Sequence, residues 1–302
     1  MPRLHIRHRT TYRYRKPVTF GEHRLMARPR ESHDQQVLSF QLQIEPAPSS
    51  LRHVHDIFGN CVSVALFDRP SDVLSFESLV ELDHNPSEPF ADALEAIAPE
   101  GEAPFDYHAE DAPDLMLSIR REFADSEAAL DNWVRRFRRW NEPTPVLPLL
   151  MDMTRAIHAE FSYKRRLENG VQTPAETLDR KTGTCRDFAV LMMEAARTLG
   201  LAAHFVSGYI YVPTAPGAAG ARAGGGHTHA WIEVYLPSCG WVEFDPTNGL
   251  IGNRDLVRVA AVRHPRQATP LWGSWAGAAS DYIGMDVEIS LTMEPEFALD
   301  VA

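Results

Sequence analysis

Residues 183–200 read GTCRDFAVLMMEAARTLG, and the fold is decided by how this stretch is read. Phe188, Leu191, Met192, Ala195 and Leu199 recur at helical spacing on one face. Gly183 precedes the run and Gly200 follows it, so the pattern predicts a helix from Cys185 to Leu199. Cys185 then stands where a Gly-Thr turn meets a helix N-terminus. Unpaired backbone donors and the positive end of the helix dipole favour negative charge on its sulfur there. The thiolate is the nucleophilic form of cysteine. A free cysteine is also commonly no more than a small buried apolar residue, so the residues downstream decide between the two.

Helical signals extend upstream of this stretch. Ser126 precedes a periodic run from Glu127 to Trp140, and Met153, Ile157 and Phe161 lie at fourfold spacing in Leu149–Phe161, which predicts two amphipathic helices. Thr173-Pro174-Ala175-Glu176 has Thr as N-cap, Pro at the first helical position and Glu three residues after the cap, the pattern of a capping box. Downstream the period changes to two. His204–Tyr211, His229–Leu236, Trp241–Asp245 and Asp286–Met293 read as strands, the last with Val287, Ile289 and Leu291 on one face. Helices followed by strands predict an α+β unit with helices packed on an antiparallel sheet. Residues 213–226, PTAPGAAGARAGGG, hold no single conformation by themselves and are either a mobile lid or a passive insertion.

His229 opens the strand HAWIEVYL, in which it shares a face with Trp231, Glu233 and Tyr235. The chain turns at Pro237–Gly240 and returns as Trp241–Thr247, ending in the carboxylate of Asp245. Nucleophile, base and orienting carboxylate thus occur in the order Cys185, His229, Asp245, which is what thiol catalysis requires. Asp245 could equally cap the Asp-Pro-Thr-Asn turn. Parity discriminates between loop lengths. A four-residue hairpin loop sets Asp245 opposite Ile232, on the wrong face from His229; a three-residue loop sets it opposite Trp231 and diagonal to His229. An odd loop or a bulge between Leu236 and Trp241 is expected.

The first eighty residues read differently. Leu38, Phe40, Leu42 and Ile44 alternate with polar residues, His53–Asp56 and Val62–Phe67 flank the turn Phe58-Gly59-Asn60, and Leu74–Leu82 is strand-like. A small antiparallel sandwich or half-barrel with no catalytic constellation is predicted. Of 302 residues 44% are apolar, and the net charge is −11. All of that charge resides between Glu81 and Asp114, where eleven acids meet no Lys or Arg. Five prolines there (Pro86, Pro89, Pro99, Pro104, Pro113) predict mostly extended coil. The expected organisation is a β-rich domain over 1–82, an acidic linker over 83–122, and a catalytic domain over 123–302 with a C-terminal strand extension. An acidic chain argues against nucleic acid as partner, although nine bases in the opening thirty residues leave a local basic surface possible. Three cysteines without short repeated spacing point to a reducing compartment, with the cytoplasm as default. No apolar run is long enough to span a bilayer, so no membrane association is expected.

The strings GTCRDFAVLMMEAARTLG, VSGY (206–209), THAWIEVYLPSCGW (228–241) and EFDPTNG (243–249), in this order, resemble the bacterial transglutaminase-like proteins of the papain-like cysteine-enzyme superfamily. The first eighty residues, with DIFGN at 56–60, are similar to the β-rich N-terminal region of those proteins. The resemblance implies Cys185 as nucleophile, His229 as general base and Asp245 as orienter, with no cofactor, acting on amide bonds of a peptide or protein substrate. It also implies a core in which the cysteine helix packs on the sheet that carries the other two. The product is a thioester, released by water in a peptidase or amidase and by a primary amine in a transglutaminase. Oxyanion donors would be the Cys185 N–H and, as a second candidate, the Tyr163 hydroxyl.

Two rival readings belong to other classes. His227 and His229 form an H-x-H pair which, with Cys185 and Asp245, could make four metal ligands; the fold could instead hold peptides without turnover. Asp187 is read as a capping or ion-pair partner, Glu233 and Glu243 as solvated strand positions in preference to groove residues that select positive substrate groups, Cys61 and Cys239 as inert, and Trp272 and Trp275 as core packing rather than groove walls.

Overall fold

The computed structural model describes residues 3–86, 105–125, 127–139, 144–165, 170–211, 226–237 and 239–293. Strand β1 (Arg3–Leu25) is 23 residues long and organises the N-terminal unit. It is followed by β2 (Gln35–Glu45), β3 (Ser50–His55), β4 (Cys61–Leu66) and β5 (Ser71–His84). The first half of β1 pairs with β5 and its second half with β4, with register shifts after Arg13 and between Phe20 and His23. One strand thus serves two half-sheets, and Tyr14, Val18, Phe20, Leu25, Leu74 and Phe76 fill the space between them. The hairpin read around Phe58-Gly59-Asn60 is β3 and β4, paired from Ser50–Leu66 to His55–Cys61.

The acidic segment is less extended than its prolines imply. Its residues 87–104 lie outside the described part, but helix α1 (Ala112–Ile119) forms beyond them. Pro113 falls in the first turn of α1, where a missing N–H costs nothing. Ahead of it, Phe105 N donates to Leu199 O at 2.8 Å, and the Tyr107 hydroxyl links Ala202 N and Tyr235 O at 2.8 and 2.7 Å. Helix α2 (Ala129–Arg135) is shorter than the run from Glu127 to Trp140, because the Asp125 carboxylate caps Leu130 N and Asp131 N, each at 3.1 Å, and so sets its start.

The catalytic-type core follows: α3 (Val146–Glu160), the two-residue strand β6 (Ser162–Tyr163), α4 (Pro174–Arg180), β7 (Thr182–Gly183), α5 (Cys185–Thr198), β8 (Ala203–Ile210), β9 (His229–Leu236), β10 (Gly240–Asp245), β11 (Leu250–Ile251) and β12 (Leu256–Val262). The Thr173 capping box of α4 forms as read, with Glu176 N bonded to Thr173 Oγ1 and Thr173 N to Glu176. Five strands make an antiparallel sheet in the order β11-β10-β9-β8-β12. Helix α5 buries Phe188, Leu191, Met192 and Ala195 against one face, beside Ile232, Val234, Val242 and Phe244. Each such large side chain contributes about 1.5–3 kcal/mol. Glu194 and Arg197 of α5 are paired at 2.9 Å with no exposure. Glu194 accepts Glu122 N and Phe123 N while Arg197 donates to Ser118 O, Ala203 O and Arg263 O, so the pair fastens the end of the acidic segment to the helix.

The chain then returns to the N-terminal unit. β13 (Leu271–Ala276) and β14 (Tyr282–Met293) both pair with β1, β14 from Leu4–Met293 to Tyr14–Tyr282. The C-terminal strands therefore extend the N-terminal sheet, not the five-stranded one, along the edge of β1 that β5 leaves open. Trp275 packs on Tyr14 with centroids 5.0 Å apart, whereas Trp272 is exposed. The two units share a core of Leu4, Ile6, Val80 and Leu82 against Tyr209, Val257 and Val259. Asn60 pins the DIFGN turn to β12, bonding Ala261 O at 3.1 Å and Ala261 N at 3.0 Å. No helix among the described residues is long and apolar enough to cross a membrane.

Candidate active site

Helix α5 begins where Gly183 leaves β7. A Cβ on Gly183 would meet the Cβ of Asp187 at 2.9 Å and Phe188 at 3.1 Å, so only glycine allows this entry. Asp187 is wholly buried and closes a box with Thr184, accepting Thr184 N at 2.8 Å, and also accepts Gln172 N at 2.7 Å. It is the capping partner read from sequence, not a base. Cys185 thus occupies the first helical position, where its N–H has no intrahelical acceptor. The parallel bridge of β6 with β7 places Tyr163 opposite Gly183. Burial raises the affinity of the Tyr163 hydroxyl for its proton, and the negative charge of Cys185 adds to the effect. No sequence signal marks a two-residue bridge.

β9 and β10 pair in the register Leu236–Gly240, Tyr235–Trp241 and Val234–Val242. This is the three-residue loop parity, and it brings Asp245 to His229. His229 Nε2 and Asp245 Oδ2 are 2.8 Å apart, with neither side chain exposed. Asp245 makes both of the contacts considered for it. Its Oδ1 accepts Thr247 N at 2.9 Å and Asn248 N at 3.3 Å, closing the turn, while Oδ2 faces the imidazole. Asn248 Nδ2 donates to the same Oδ2 at 2.7 Å, a positioning contact that the Asp-x-x-Asn spacing of the turn could have signalled. Trp231 stacks on the ring of His229, with centroids 5.8 Å apart.

The electrostatics follow from this dry pairing. Burial disfavours the imidazolium, but the Asp245 charge and hydrogen bond outweigh it, Cys185 adds a further pull, and His229 is raised to about 10. Burial likewise disfavours the Asp245 carboxylate, yet His229, Asn248 and Thr247 N hold it below the usual carboxylate range. Nε2 is committed to Asp245, which leaves Nδ1 as the ring nitrogen for Cys185; Nδ1 has no other hydrogen-bond partner. The site therefore holds a charged acid beside a buried sulfur.

The four-ligand metal arrangement is not assembled. His227 is partly exposed and feels Arg165, and among the described residues no three His, Cys, Asp or Glu side chains are gathered to hold an ion. The glycine-rich loop over 213–226 lies almost entirely outside the described residues. Cys61 and Cys239 are both half-buried, and burial pushes the Cys239 thiol up. Glu233 and Glu243 depart from expectation. Both are buried, because the N-terminal unit covers this face of the sheet; Arg258 bonds Glu243 at 3.1 Å and His204 bonds Glu233 at 3.1 Å.

The chain is similar to known proteins over both of its units. Residues 132–246 match the transglutaminase-like superfamily, and residues 4–83 match the bacterial transglutaminase-like N-terminal region. An uncharacterized protein of Mycobacterium tuberculosis is 28% identical over 299 residues, covering 95% of this chain and 92% of its own length. One from Mycobacterium leprae is 25% identical over 292 residues, covering 96% and 99%. The crystal structure of a candidate cysteine protease from Cytophaga hutchinsonii superposes with a TM-score of 0.67 at 18% identity, covering 98% of this chain and 92% of that one.

Proposed function

Because residues 132–246 belong to the transglutaminase-like superfamily and residues 4–83 to its bacterial N-terminal region, we propose that the chain is a thiol-dependent acyl-transfer enzyme acting on amide bonds of peptides or proteins. Cys185, His229 and Asp245 carry the reaction. The observation that supports it most is the buried 2.8 Å contact of His229 with Asp245, which leaves the other ring nitrogen to a cysteine at a helix N-terminus.

The Cys185 sulfur attacks the amide carbonyl, forming a C–S bond and a tetrahedral oxyanion. The Cys185 N–H and the Tyr163 hydroxyl stabilise that oxygen. His229 delivers its Nδ1 proton to the amide nitrogen, the C–N bond breaks, and the amine leaves a thioester. Asp245 keeps Nε2 protonated and the ring oriented throughout. A second nucleophile, water or a primary amine, loses its proton to His229 and releases the acyl group. Water makes the chain a cysteine peptidase or amidase, and an amine makes it a protein-glutamine transamidase. Three cysteines without short repeated spacing suit a reducing cytoplasm, which cell fractionation would check.

Iodoacetamide mapping near neutral pH tests the nucleophile: Cys185 is expected to be alkylated ahead of Cys61 and Cys239, and equal rates at the three would overturn the assignment. Fluorescent casein and dimethylated casein with a biotinylated pentylamine then separate release by water from release by amine.

A further inference from the structure

The face of the sheet that carries His229 and Asp245 continues into a second polar site. Glu233 and Glu243 stand opposite each other across β9 and β10, where the N-terminal unit closes over them to leave a cavity of about 580 Å³. Its residues include none of Cys185, His229 and Asp245.

The hydrogen bonds of this cavity can be counted through. Arg258 donates Nη1 to Glu243 Oε1 at 3.1 Å and Nη2 to Asp34 Oδ1 and Ser32 Oγ at 2.6 and 2.7 Å. Asp34 also accepts from Ser32 and Asn253, so both its oxygens are used. Two acceptors remain: Glu243 Oε2 and Asn253 Oδ1 are buried without a hydrogen-bond partner. The residues are 2% and 8% exposed, so neither group reaches bulk water. A buried acceptor left unpaired costs about 1–3 kcal/mol, more when charged. Four acids of the lining (Glu31, Asp34, Glu233, Glu243) meet two guanidiniums (Arg30, Arg258) and the imidazoles of His33 and His204, so carboxylates outnumber arginines beside the empty acceptors. At the mouth Trp241 is 36% exposed and stacks on His204 with centroids 4.1 Å apart, presenting an aromatic surface beside the carboxylates.

We propose that this cavity between the N-terminal unit and the catalytic sheet binds an alkylammonium group, whose N–H donors satisfy Glu243 Oε2 and Asn253 Oδ1 while its alkyl stem leaves past Trp241. An ammonium is a compact head with three donors and no acceptor, which matches an acceptor-only site. No metal-type cluster is present among the described residues. The same chemistry has two sources, a free amine or a lysine side chain of another polypeptide. Burial pushes the Glu243 carboxyl up to about 7; Arg258 opposes this, and Glu233 and Asp34 reinforce it. A bound cation displaces that proton, so binding tightens as pH rises past about 7.

The test is calorimetric titration of the full chain carrying Cys185→Ala, so that the result stands whether or not the acyl-transfer reading does. The probes are n-butylammonium and Nα-acetyl-lysine amide, at pH 5.5 and 8. Saturable binding of n-butylammonium at pH 8, weakened about 10-fold or more at pH 5.5 and by Glu243→Gln, is expected. Trp241→Ala, at the rim and tolerant of truncation, should weaken it a few-fold. Binding of Nα-acetyl-lysine amide as well assigns a polypeptide lysine, and its failure with n-butylammonium bound assigns a free amine. No saturable n-butylammonium binding, meaning that an ordered water alone fills the site, overturns the proposal, as does binding unchanged by both substitutions.

Discussion

Asp245 and Glu243 stand two residues apart on one face of β10, and both are shut away from water. Their carboxyls nevertheless move in opposite directions, Asp245 below the usual range and Glu243 up to about 7. Burial acts alike on both, so partners make the difference. Asp245 meets an imidazolium, an amide N–H₂ and two backbone N–H groups. Glu243 has half an arginine, with two more carboxylates close by. Within one strand, partner supply decides whether a buried acid is held charged or held near neutrality.

The catalytic end should respond most to substitution. Cys185→Ala is expected to lower acyl transfer by about 10⁴-fold or more while leaving the melting temperature nearly unchanged, because a buried thiol is replaced by a similar small group. Activity within tenfold of the parent would break the assignment.

Asp245→Asn should cost about 10³- to 10⁴-fold and move the upper limb of the pH–rate profile. In the parent, amide cleavage falls as pH rises through about 10, where His229 loses the proton that the leaving amine needs. Without the carboxylate that limb shifts toward 6.5, the ordinary imidazole value. The stability contributed by His229 is fully present below 6.5 and lost as pH rises through about 10. That of Asp245 is present above 3.8 and lost as pH falls through its depressed folded value. Denaturant melts should therefore show the largest deficit of the variant near pH 5–7, on the order of 3–5 kcal/mol.

Glu243 should show the opposite sign. Its folded value lies above the ordinary 4.5, so the cost of ionising it is absent below pH 4.5 and complete above about 7. Between pH 4.5 and 8 the parent should lose about 3 kcal/mol relative to Glu243→Gln. A difference between the two proteins that does not change with pH would place the carboxyl outside the dry cavity. The smallest effect is expected at Asn248→Ala, about 2 kcal/mol through loss of one charge-assisted hydrogen bond. A reduced kcat with unchanged KM and a displaced acidic limb would mark Asn248 as positioning Asp245 rather than merely packing.

Much of the candidate site's local structure was legible because its signals are local. Helix α5 follows from the period of Phe188, Leu191, Met192 and Ala195, and alternation reduced the meeting of Asp245 with His229 to the parity of one hairpin loop, which the register of β9 with β10 then gave. Strand β14 was equally clear as a strand, since Val287, Ile289 and Leu291 alternate. Its partner was not: alternation says that one face is buried but not against what, and β14 joins β1 at the other end of the chain. Likewise α1 was hidden by a proline that sits where a helix tolerates it, and α2 was overextended because apolar periodicity alone marks neither the start that the Asp125 cap sets nor the end at Arg135.

By itself the sequence determined which residues share a helix face, which share a strand face, and that an odd hairpin loop would bring Asp245 to the face of His229. These depend on periods of a few residues and on turn lengths, which the chain carries locally. Only the tertiary structure decided that the N-terminal unit covers Glu233 and Glu243, that the C-terminal strands return to β1, and that one carboxyl of β10 is held charged while its neighbour is not. Solvation and charge depend on every group within a few ångströms, and among the groups that decide here Asp34 comes from the N-terminal unit, more than two hundred residues from Asn253 and Arg258.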